Sequence, residues 1–432
     1  MIIAQVIFSI CLITAIYFFT KNVRKIIRNI NLGRDVRLEG ETKKRWSILF
    51  RVALGQSKML TKPMVGFFHI VIYVGFIIVN IEVLEIITDG IFGTHRILAQ
   101  VLPAPFYNFL IGSFEILAIA VLVACIIFLA RRNITKVKRL ISHDLDGWPR
   151  SDANIILTWE ICLMTLFLSM NACDHLLQLR GSEHYFKSGA FPVSAALFTP
   201  LFSSLSDGTL QIIERGCWWL HILGILGFLN YLVISKHFHI IISFPNVFYS
   251  NLFPQGKFNN LESVTREVKL MLDPSGPPPA EGETTPRFGA KDVFDLTWKQ
   301  LMDAYSCTEC GRCTAACPAN ITGKKLSPRT IVMKTRDRLE EVGKNIDAHG
   351  MDFRDNKNLL GDYITEEELW ACTTCNACVE ECPVNISPLG IIMDLRRSLV
   401  MEESKMPTEL AMMNSNIENN GAPWQFSQAD RF

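Results

Sequence analysis

The chain contains little charge. Only 20% of its 432 residues are Asp, Glu, Lys or Arg, and the formal net charge is +1. Soluble domains usually contain roughly 25% charged residues, and the mean hydropathy of +0.23 is correspondingly apolar. A net charge near zero excludes a broad surface that neutralises phosphates, so we expect no nucleic-acid partner. Glycine-rich phosphate-binding patterns are also missing, which argues against a nucleotide site.

Long apolar segments are what the chain has instead. A helix needs about 20 apolar residues to cross a bilayer. Five segments satisfy this requirement: Ile2–Phe19, Met64–Ile86, Phe106–Leu129, Asn154–Leu176 and Trp218–Ile242. The first segment has its positive charges after it rather than before it, unlike a cleaved signal peptide. A very apolar helical bundle in a soluble protein is the alternative, and the five segments together favour a membrane protein.

The distribution of Lys and Arg between the segments predicts their direction. Residues 20–63 contain twelve and residues 130–153 contain six, whereas 87–105 contain one and 177–217 contain three. Loops rich in Lys and Arg usually lie in the cytoplasm. We therefore expect a multi-pass protein of the inner (cytoplasmic) membrane. Its N-terminus is predicted to lie outside, and everything after the fifth segment inside.

Cysteine is concentrated in two short runs, with eight of the 13 cysteines between Cys307 and Cys382. Each run has three cysteines separated by two residues, a fourth after three more residues, and then a proline. This spacing is typical of bacterial dicluster ferredoxins, in which the first three thiolates of a run bind one cluster and the fourth binds the other. A pair of zinc sites is the alternative, and it requires two CxxC pairs rather than four cysteines in each run.

The spacing therefore predicts two 4Fe–4S clusters whose fourth ligands are exchanged between the runs. The ligands predicted for the first cluster are Cys307, Cys310, Cys313 and Cys382. Those predicted for the second are Cys372, Cys375, Cys378 and Cys317. The reducing cytoplasm keeps such thiols free of disulfides. Clusters that share their ligand runs in this way lie close together and conduct single electrons.

The two runs belong to an internal repeat. Cys317-Pro-Ala-Asn-Ile matches Cys382-Pro-Val-Asn-Ile, and each is followed by a Ser-Pro pair, Ser327-Pro328 and Ser387-Pro388. Such pairs are typical of a helix N-cap and its first residue. Helical structure is predicted for four segments around the cysteines: Trp298–Tyr305, Ile331–Leu339, Glu366–Trp370 and Ile391–Leu399. Since compact βαββαβ ferredoxins place their cysteine runs closer together, a helical ferredoxin fits better.

Histidines within the apolar segments are candidate haem ligands, because an ionisable side chain in a membrane span usually has a function. His221 and His239 are 18 residues apart, which on one continuous helix gives a common face and a separation of roughly 27 Å. We pair His239 with His69, on the same side of the membrane, around one b haem. His221 is paired with His175 around a second haem. For that pair, a polar lining or proton relay without haem is an equally good interpretation. His237 is expected to point elsewhere.

Acidic residues lie toward the outer ends of the segments: Glu82, Glu85, Glu115 and Asp174. Oxidation of a quinol releases protons as electrons leave, and carboxylates near the reaction site can accept them. An equally good interpretation is that these acids lie at the level of the lipid headgroups and have no chemical role.

The five apolar segments, together with His221-x17-His239 and Ser235-Lys236-His237-Phe238-His239, resemble the cytochrome b gamma subunit of respiratory nitrate reductase. That family holds two haems between its second and fifth spans, so the resemblance implies haem-binding roles for His69, His221 and His239. Val79 stands near the position of the remaining ligand. The resemblance therefore implies one or two b haems.

The cysteine region, including Cys310-Gly-Arg-Cys313 and Leu326-Ser-Pro-Arg329, is similar to the small iron–sulfur subunit of heterodisulfide reductase. Joined in one chain, the two halves resemble membrane iron–sulfur oxidoreductases proposed to link electron-transfer flavoprotein to menaquinone. The cysteine-rich CCG repeats of that family are absent from this sequence. The resemblance thus implies a separate cytoplasmic partner, either a CCG-type iron–sulfur subunit or electron-transfer flavoprotein.

The expected fold class is mainly α: a five-helix transmembrane cytochrome b-type bundle followed by an α-helical dicluster ferredoxin. Residues 1–245 are assigned to the membrane domain, and 246–289 to a surface segment and proline-rich linker. Residues 290–400 are assigned to the ferredoxin domain, and 401–432 to a tail that contacts a partner. The linker is centred on 273–287, where prolines favour extended structure.

We therefore expect an electron-transfer subunit of a membrane oxidoreductase, with the catalytic end on another subunit. Electrons would pass between a menaquinone-like quinone pool, b haem, two 4Fe–4S clusters and a cytoplasmic protein. Two alternatives remain open. One is a heterodisulfide-reductase-like or sulfur-metabolism subunit that acts on thiols and disulfides, and the other is a non-enzymatic redox sensor or membrane anchor.

Overall fold

The computed structural model describes residues 2–257, 260–273, 287–426 and 428–431. Within these ranges the chain forms helices and turns but no strand, in agreement with the predicted mainly α class. Apart from its two end residues, the proline-rich stretch 273–287 lies outside the described residues. The chain divides into two compact units, Met1–Ile26 with Arg51–Ile241 and Ile27–Phe50 with Ile242–Phe432. The sequence places 27–50 in the membrane domain, whereas in the structure it belongs to the second unit.

The first unit is built from helices that are long and apolar enough to cross a membrane. There are five in the described ranges: α1 (Ile2–Ile30, whose last turn belongs to the second unit), α2 (Pro63–Phe92), α3 (Ala104–Asn133), α4 (Trp148–Arg180) and α5 (Asp207–Leu232). Shorter helices also occur, Ile97–Val101 and Thr199–Phe202, with a π-helical turn at Ser194–Phe198. The predicted number of five is confirmed.

Large apolar side chains lie on both the inside and the outside of the first unit. Phe8, Phe114 and Phe167 are completely buried in its core. By contrast, Ile3 and Phe109 are 77% and 72% exposed. Exposed apolar surface of this kind is unfavourable in water and favourable in lipid. The distribution is therefore that of a membrane protein.

The predicted fifth span, Trp218–Ile242, is wrong at its C-terminal end. Helix α5 ends at Leu232, a 3₁₀ turn covers Lys236–Phe238, and a new helix, α6, begins at His239 and ends at Phe248. His221 and His239 are therefore not on one continuous helix. Their separation of 18 residues therefore does not place them on a common helix face.

A buried carboxylate explains this interruption. Asp152 of α4 is 1% exposed and accepts hydrogen bonds from the hydroxyls of Tyr231 (2.6 Å) and Ser235 (2.7 Å). It also accepts one from the backbone N–H of Lys236 at 3.1 Å. The Ser235 hydroxyl in turn accepts a hydrogen bond from the backbone of His237. Because a helix end needs partners for its free N–H groups, these bonds fix the point at which the chain turns.

The second unit consists of shorter helices. After Thr42–Ile48 and α6, these are α7 (Glu262–Leu272), α8 (Trp298–Ser306), α9 (Arg312–Ala315), α10 (Pro318–Ile321), α11 (Pro328–His349), α12 (Glu366–Trp370), α13 (Ala377–Glu380), α14 (Pro388–Met401) and α15 (Thr408–Asn420). The four helices predicted around the cysteines are confirmed as α8, α11, α12 and α14.

Capping residues repeat between the two halves of this unit. Ser327 accepts a hydrogen bond from the backbone of Thr330, and Ser387 accepts one from Gly390, so both predicted N-caps are confirmed. Thr297 and Thr365 form capping boxes with Gln300 and Glu368, respectively. Each box satisfies two N–H groups at the start of a helix. The internal repeat thus extends to the helix starts before each cysteine run.

A buried arginine connects α11 to the segments on either side of it. Arg338, whose side chain is 2% exposed, donates hydrogen bonds to Asp292 (2.7 Å), Asp355 (2.6 Å) and the carbonyl of Lys357 (2.7 Å). Hydrogen bonds from Arg338 lower the pKa of Asp355 to about 2. Because this pKa is below the unfolded value of about 3.9, Asp355 stabilises the fold above that value. Its contribution is lost as pH falls toward about 2.

Replacement of Arg338 by alanine is expected to destabilise the second unit by about 3 kcal/mol, because the buried Asp292 and the half-buried Asp355 both lose their cation. The measurement is thermal or denaturant unfolding of the full chain in detergent, followed through the visible absorption of its clusters. Lys344→Ala, an exposed position on the same helix, is the control and should unfold like the wild type. Equal stability of the two variants would contradict the role given to Arg338.

Candidate iron–sulfur and haem sites

Four thiols surround a cavity in the second unit. Cys307, Cys310, Cys313 and Cys382 line one pocket. Apolar side chains, including Val332 and Ile386, complete its walls. The structure thus brings together the set predicted for the first cluster, including its one member from the other run. Which cluster each thiol binds stays a prediction.

The structure also brings together the four cysteines that are predicted to bind the second cluster. The Cys378 thiol is within electrostatic range of Cys372, Cys375 and Cys317, so the four sulfurs lie in one neighbourhood. Cys317 and Cys378 are buried, whereas Cys375 is exposed. This second group therefore reaches the protein surface at Cys375.

The two cysteine loops share an unusual backbone conformation. Glu309 and Gly311 have φ angles of +55° and +72°, and Thr374 and Asn376, their counterparts in the repeat, have +57° and +61°. The left-handed region costs a residue with a β-carbon roughly 1–2 kcal/mol. Because this conformation recurs in both cysteine loops, we infer that each loop is shaped to enclose a bound group.

The protonation of the thiols depends on what they bind. Burial raises the pKa of Cys307 to about 11, and that of Cys378 and Cys382 to about 12. Two sulfurs accept backbone hydrogen bonds, Cys382 from Ile386 at 3.3 Å and Cys372 from Thr374 at 3.4 Å. A buried thiolate needs a cation, and iron ions supply positive charge at the sulfurs. The sites therefore fit iron–sulfur clusters.

Each gathered set contains cysteines from both runs. This composition fits two iron–sulfur clusters with exchanged fourth ligands. A structural zinc site would instead need two CxxC pairs.

Sequence reasoning misses two arginines beside the first cavity. Arg329 is 1% exposed and lines the cavity, and Arg336 contacts Glu309 of the cysteine loop at 2.7 Å. Together with Val332, these residues follow the helical spacing of one face of α11. The spacing of three and four residues between Arg329, Val332 and Arg336 is the sequence signal that could have identified the two arginines. Their positive charges stabilise negative charge in the cavity.

A second candidate site contains three histidines of the first unit. The rings of His237 and His239 are 5.4 Å apart, and His69 is within electrostatic range of both. Nδ1 of His239 lies 3.0 Å from the carbonyl oxygen of Lys236, which leaves Nε2 available to a ligand. Nδ1 of His69 is buried without a hydrogen-bond partner in the described part of the chain. The expectation that His237 points elsewhere is wrong, because the 3₁₀ turn places it beside His239.

Of the other two predicted histidines, His221 of α5 contacts α4 near Leu163, whereas His175 is itself a residue of α4. His221 is 1% exposed, its Nδ1 lies 3.0 Å from the carbonyl oxygen of Leu163, and its ring packs near Phe167. His175 packs against Phe191 with ring centres 5.5 Å apart. It follows Phe167 by two turns, or about 12 Å along the helix. The pairing of His175 with His221 stays a prediction.

The chain is similar to a family of iron–sulfur domains and to several oxidoreductases. Residues 306–386 match the family described as 4Fe-4S dicluster domain. The probable iron-sulfur-binding oxidoreductase FadF of Bacillus subtilis (strain 168) is 30% identical over 96% of this chain and 58% of its own length. The EtfAB:quinone oxidoreductase of Syntrophomonas wolfei is 28% identical over 89% of this chain and 53% of its own length.

A third relative matches a shorter stretch of the chain. It is one of the components of the ferredoxin/F(420)H(2)-dependent CoB-CoM heterodisulfide reductase of Methanosarcina acetivorans, and it is 32% identical over 27% of this chain and 60% of its own length. No solved structure matches. The chain is thus related to iron–sulfur oxidoreductases and contains a 4Fe–4S dicluster domain. It spans little more than half the length of the first two relatives.

The exchanged fourth ligands can be tested with a double variant. Cys307 and Cys382 are in different runs but line the same cavity, so each single Cys→Ser change should remove the same cluster. The double variant should then keep the other cluster and about half of the iron, because each cluster needs one full set of four thiolates.

The measurement is iron and sulfide analysis of the purified protein, with electron paramagnetic resonance of the reduced clusters. Cys162→Ser, an exposed cysteine of the first unit, is the control and should keep all of the iron. Loss of both clusters in the double variant, with one retained in each single variant, would show that each run binds its own cluster.

Proposed function

We propose that the chain is the electron-transfer subunit of a quinone-linked membrane oxidoreductase. The observation that carries this proposal is the combination of two four-cysteine groups in one unit with five long apolar helices in the other. Electrons pass between a menaquinone-like pool, b haem, the clusters and a cytoplasmic partner protein. The protein lies in the inner membrane, with its N-terminus outside and its cysteine unit in the cytoplasm.

The cysteines and their neighbours have separate roles in this proposal. Cys307, Cys310, Cys313 and Cys382 hold one 4Fe–4S cluster, and Cys372, Cys375, Cys378 and Cys317 hold the other. A 4Fe–4S cluster accepts and donates one electron at a time. Arg329 and Arg336 place positive charge beside the first site. The exposed Cys375 marks the surface through which a soluble partner exchanges electrons.

The histidines of the first unit fit a b haem. His69 and His239 would hold the haem iron, a role supported by the buried Nδ1 of His69 and the available Nε2 of His239. A haem ligand commonly donates its other ring N–H to a backbone carbonyl, as His239 is placed to do. His221, whose Nδ1 faces the Leu163 carbonyl, and His175 are proposed for a second haem.

The quinone and the partner are inferred from the relatives. One of them is named an EtfAB:quinone oxidoreductase and aligns with 89% of this chain. On this ground the proposed partner is electron-transfer flavoprotein, and the cysteine-rich (CCG-type) iron–sulfur subunit that the sequence resemblance implies is the alternative. A heterodisulfide-reductase-like role is the second candidate, favoured by the match to the Methanosarcina acetivorans protein. That match covers only 27% of the chain, so the quinone-linked role is preferred.

Replacement of His69 by alanine is expected to remove the absorption of the haem that it shares with His239, because a six-coordinate b haem needs both imidazoles. The measurement is the optical spectrum and extracted haem of the purified protein, with cluster signals recorded on the same sample. The control is His143→Ala, which changes a fully exposed histidine. It should keep both the haem absorption and the cluster signals. An unchanged haem spectrum in the His69 variant would exclude this ligand pair.

Quinol is expected to reduce the clusters of the purified full chain in detergent. The measurement is bleaching of the cluster absorption after mixing with a water-soluble naphthoquinol, and reoxidation by the corresponding quinone. The Cys307→Ser/Cys382→Ser variant should show a smaller amplitude, because one cluster is missing. A different outcome is that dithionite reduces the clusters, whereas quinol does not reduce them and quinone does not reoxidise them. That outcome would favour a redox sensor or a thiol-linked subunit.

A further inference from the structure

Charged side chains are buried at the end of the first unit where α2 ends and α3 begins. We call them the acidic cluster: Glu82, Glu85, Asp89, Glu115, Asp174 and the cation Arg96, all of which are at most 8% exposed. Ionisable groups are expensive inside membrane helices and are usually retained for a function. The cluster lies at the opposite end of α2 from His69, so it is separate from the three-histidine site.

Most of the cluster is satisfied by hydrogen bonds. Arg96 donates to Asp174 (2.5 Å), Asn171 (2.9 Å) and Tyr107 (3.3 Å). Glu115 accepts two backbone N–H groups, from Val193 and Ser194. Asp89 accepts the backbone N–H of Arg96, and Glu85 accepts that of Leu98. These groups have a structural role that explains their burial.

Glu82 differs from the other acids of the cluster because one of its carboxylate oxygens lacks a hydrogen-bond partner among the described residues. The side chain of Glu82 is 3% exposed, and this oxygen atom, Oε2, is itself buried. The charged groups that face it are Arg96, Glu85, Glu115 and Asp174. Arg96 is already bound to Asp174, so an ionised Glu82 is only partly compensated. A carboxyl in this position can take up and release a proton, whereas the other acids are held by fixed partners.

The acidic cluster approaches the protein surface at His95. Oδ1 of Asp174 lies 3.6 Å from Nε2 of His95, whose side chain is 22% exposed. His95 in turn lies 3.4 Å from the guanidinium of Arg215, which is 44% exposed. The cluster therefore approaches the aqueous surface on the side of His95 and Arg215.

We propose that the acidic cluster is the proton-exchange site for the quinone, with Glu82 as the group that takes the proton from a quinol hydroxyl. This proposal rests on the proposed function. In the oxidising direction both O–H bonds of the quinol break, and Glu82 takes up the two protons in turn and releases each one to water on the side of the cluster where His95 lies. The two electrons of the quinol leave one at a time to the one-electron carriers of the chain, and quinone is formed. Quinone reduction is the same step in reverse.

The test compares quinol-driven cluster reduction in the wild type and in Glu82→Gln, using the full chain in detergent and a water-soluble naphthoquinol. The variant should react about 100-fold more slowly, because glutamine cannot accept the proton. Reduction by dithionite should be unchanged. The infrared difference spectrum between oxidised and quinol-reduced protein should contain a protonated-carboxyl band that is absent from the variant. Glu183→Gln, an exposed acid of the α4–α5 loop, is the matched control and should react like the wild type.

Each outcome decides a different point. A wild-type rate and an unchanged infrared band in Glu82→Gln would overturn the role of Glu82 while the proposed function stands. Failure of the wild type itself to react with naphthoquinol or its quinone would overturn the proposed function, and this inference with it. If the glutamine variant does not assemble, Glu82→Asp replaces it. A displaced carboxyl should slow the reaction and shift the infrared band, whereas wild-type behaviour would contradict the proposal.

Discussion

A buried thiol is stable as the neutral group, whereas iron binds the thiolate, and this opposition shapes the second unit. Cys307 and Cys382 are held where burial opposes ionisation, and the loops around them adopt left-handed backbone at corresponding places. The caps of α8, α11, α12 and α14 fix the helices that carry these loops. A cluster that supplies positive charge at the sulfurs turns this costly arrangement into a stable one.

The first unit also contains buried charges, and protein groups supply their partners. Its helices expose apolar side chains on the outside and enclose charged ones, so each buried charge needs a partner within the bundle. Asp152 is satisfied by the hydroxyls and backbone of the chain that follows α5. Arg96 is satisfied by the acids and amides of α2 and α4. The polar ends of this bundle are therefore specified by hydrogen bonds rather than by packing alone.

The relation to electron-transfer proteins follows from these two parts together. The dicluster match accounts for residues 306–386, and the alignment with the Bacillus subtilis relative extends over 96% of the chain. An electron carrier needs redox groups that are shielded from water, and Cys307, Cys317, Cys378 and Cys382 are buried in the second unit.

Periodicity and spacing determined much of this protein by themselves. Five apolar segments, the two Ser-Pro helix starts and the two cysteine runs could be predicted directly, because each depends on residues that are close together in sequence. The end of α5 could not be predicted, since Asp152 lies about 80 residues before the backbone that it holds. The position of His237 beside His239 depends on that same turn. Only the tertiary structure decides where distant polar groups meet, because a hydrogen bond between them leaves no periodic trace in the sequence.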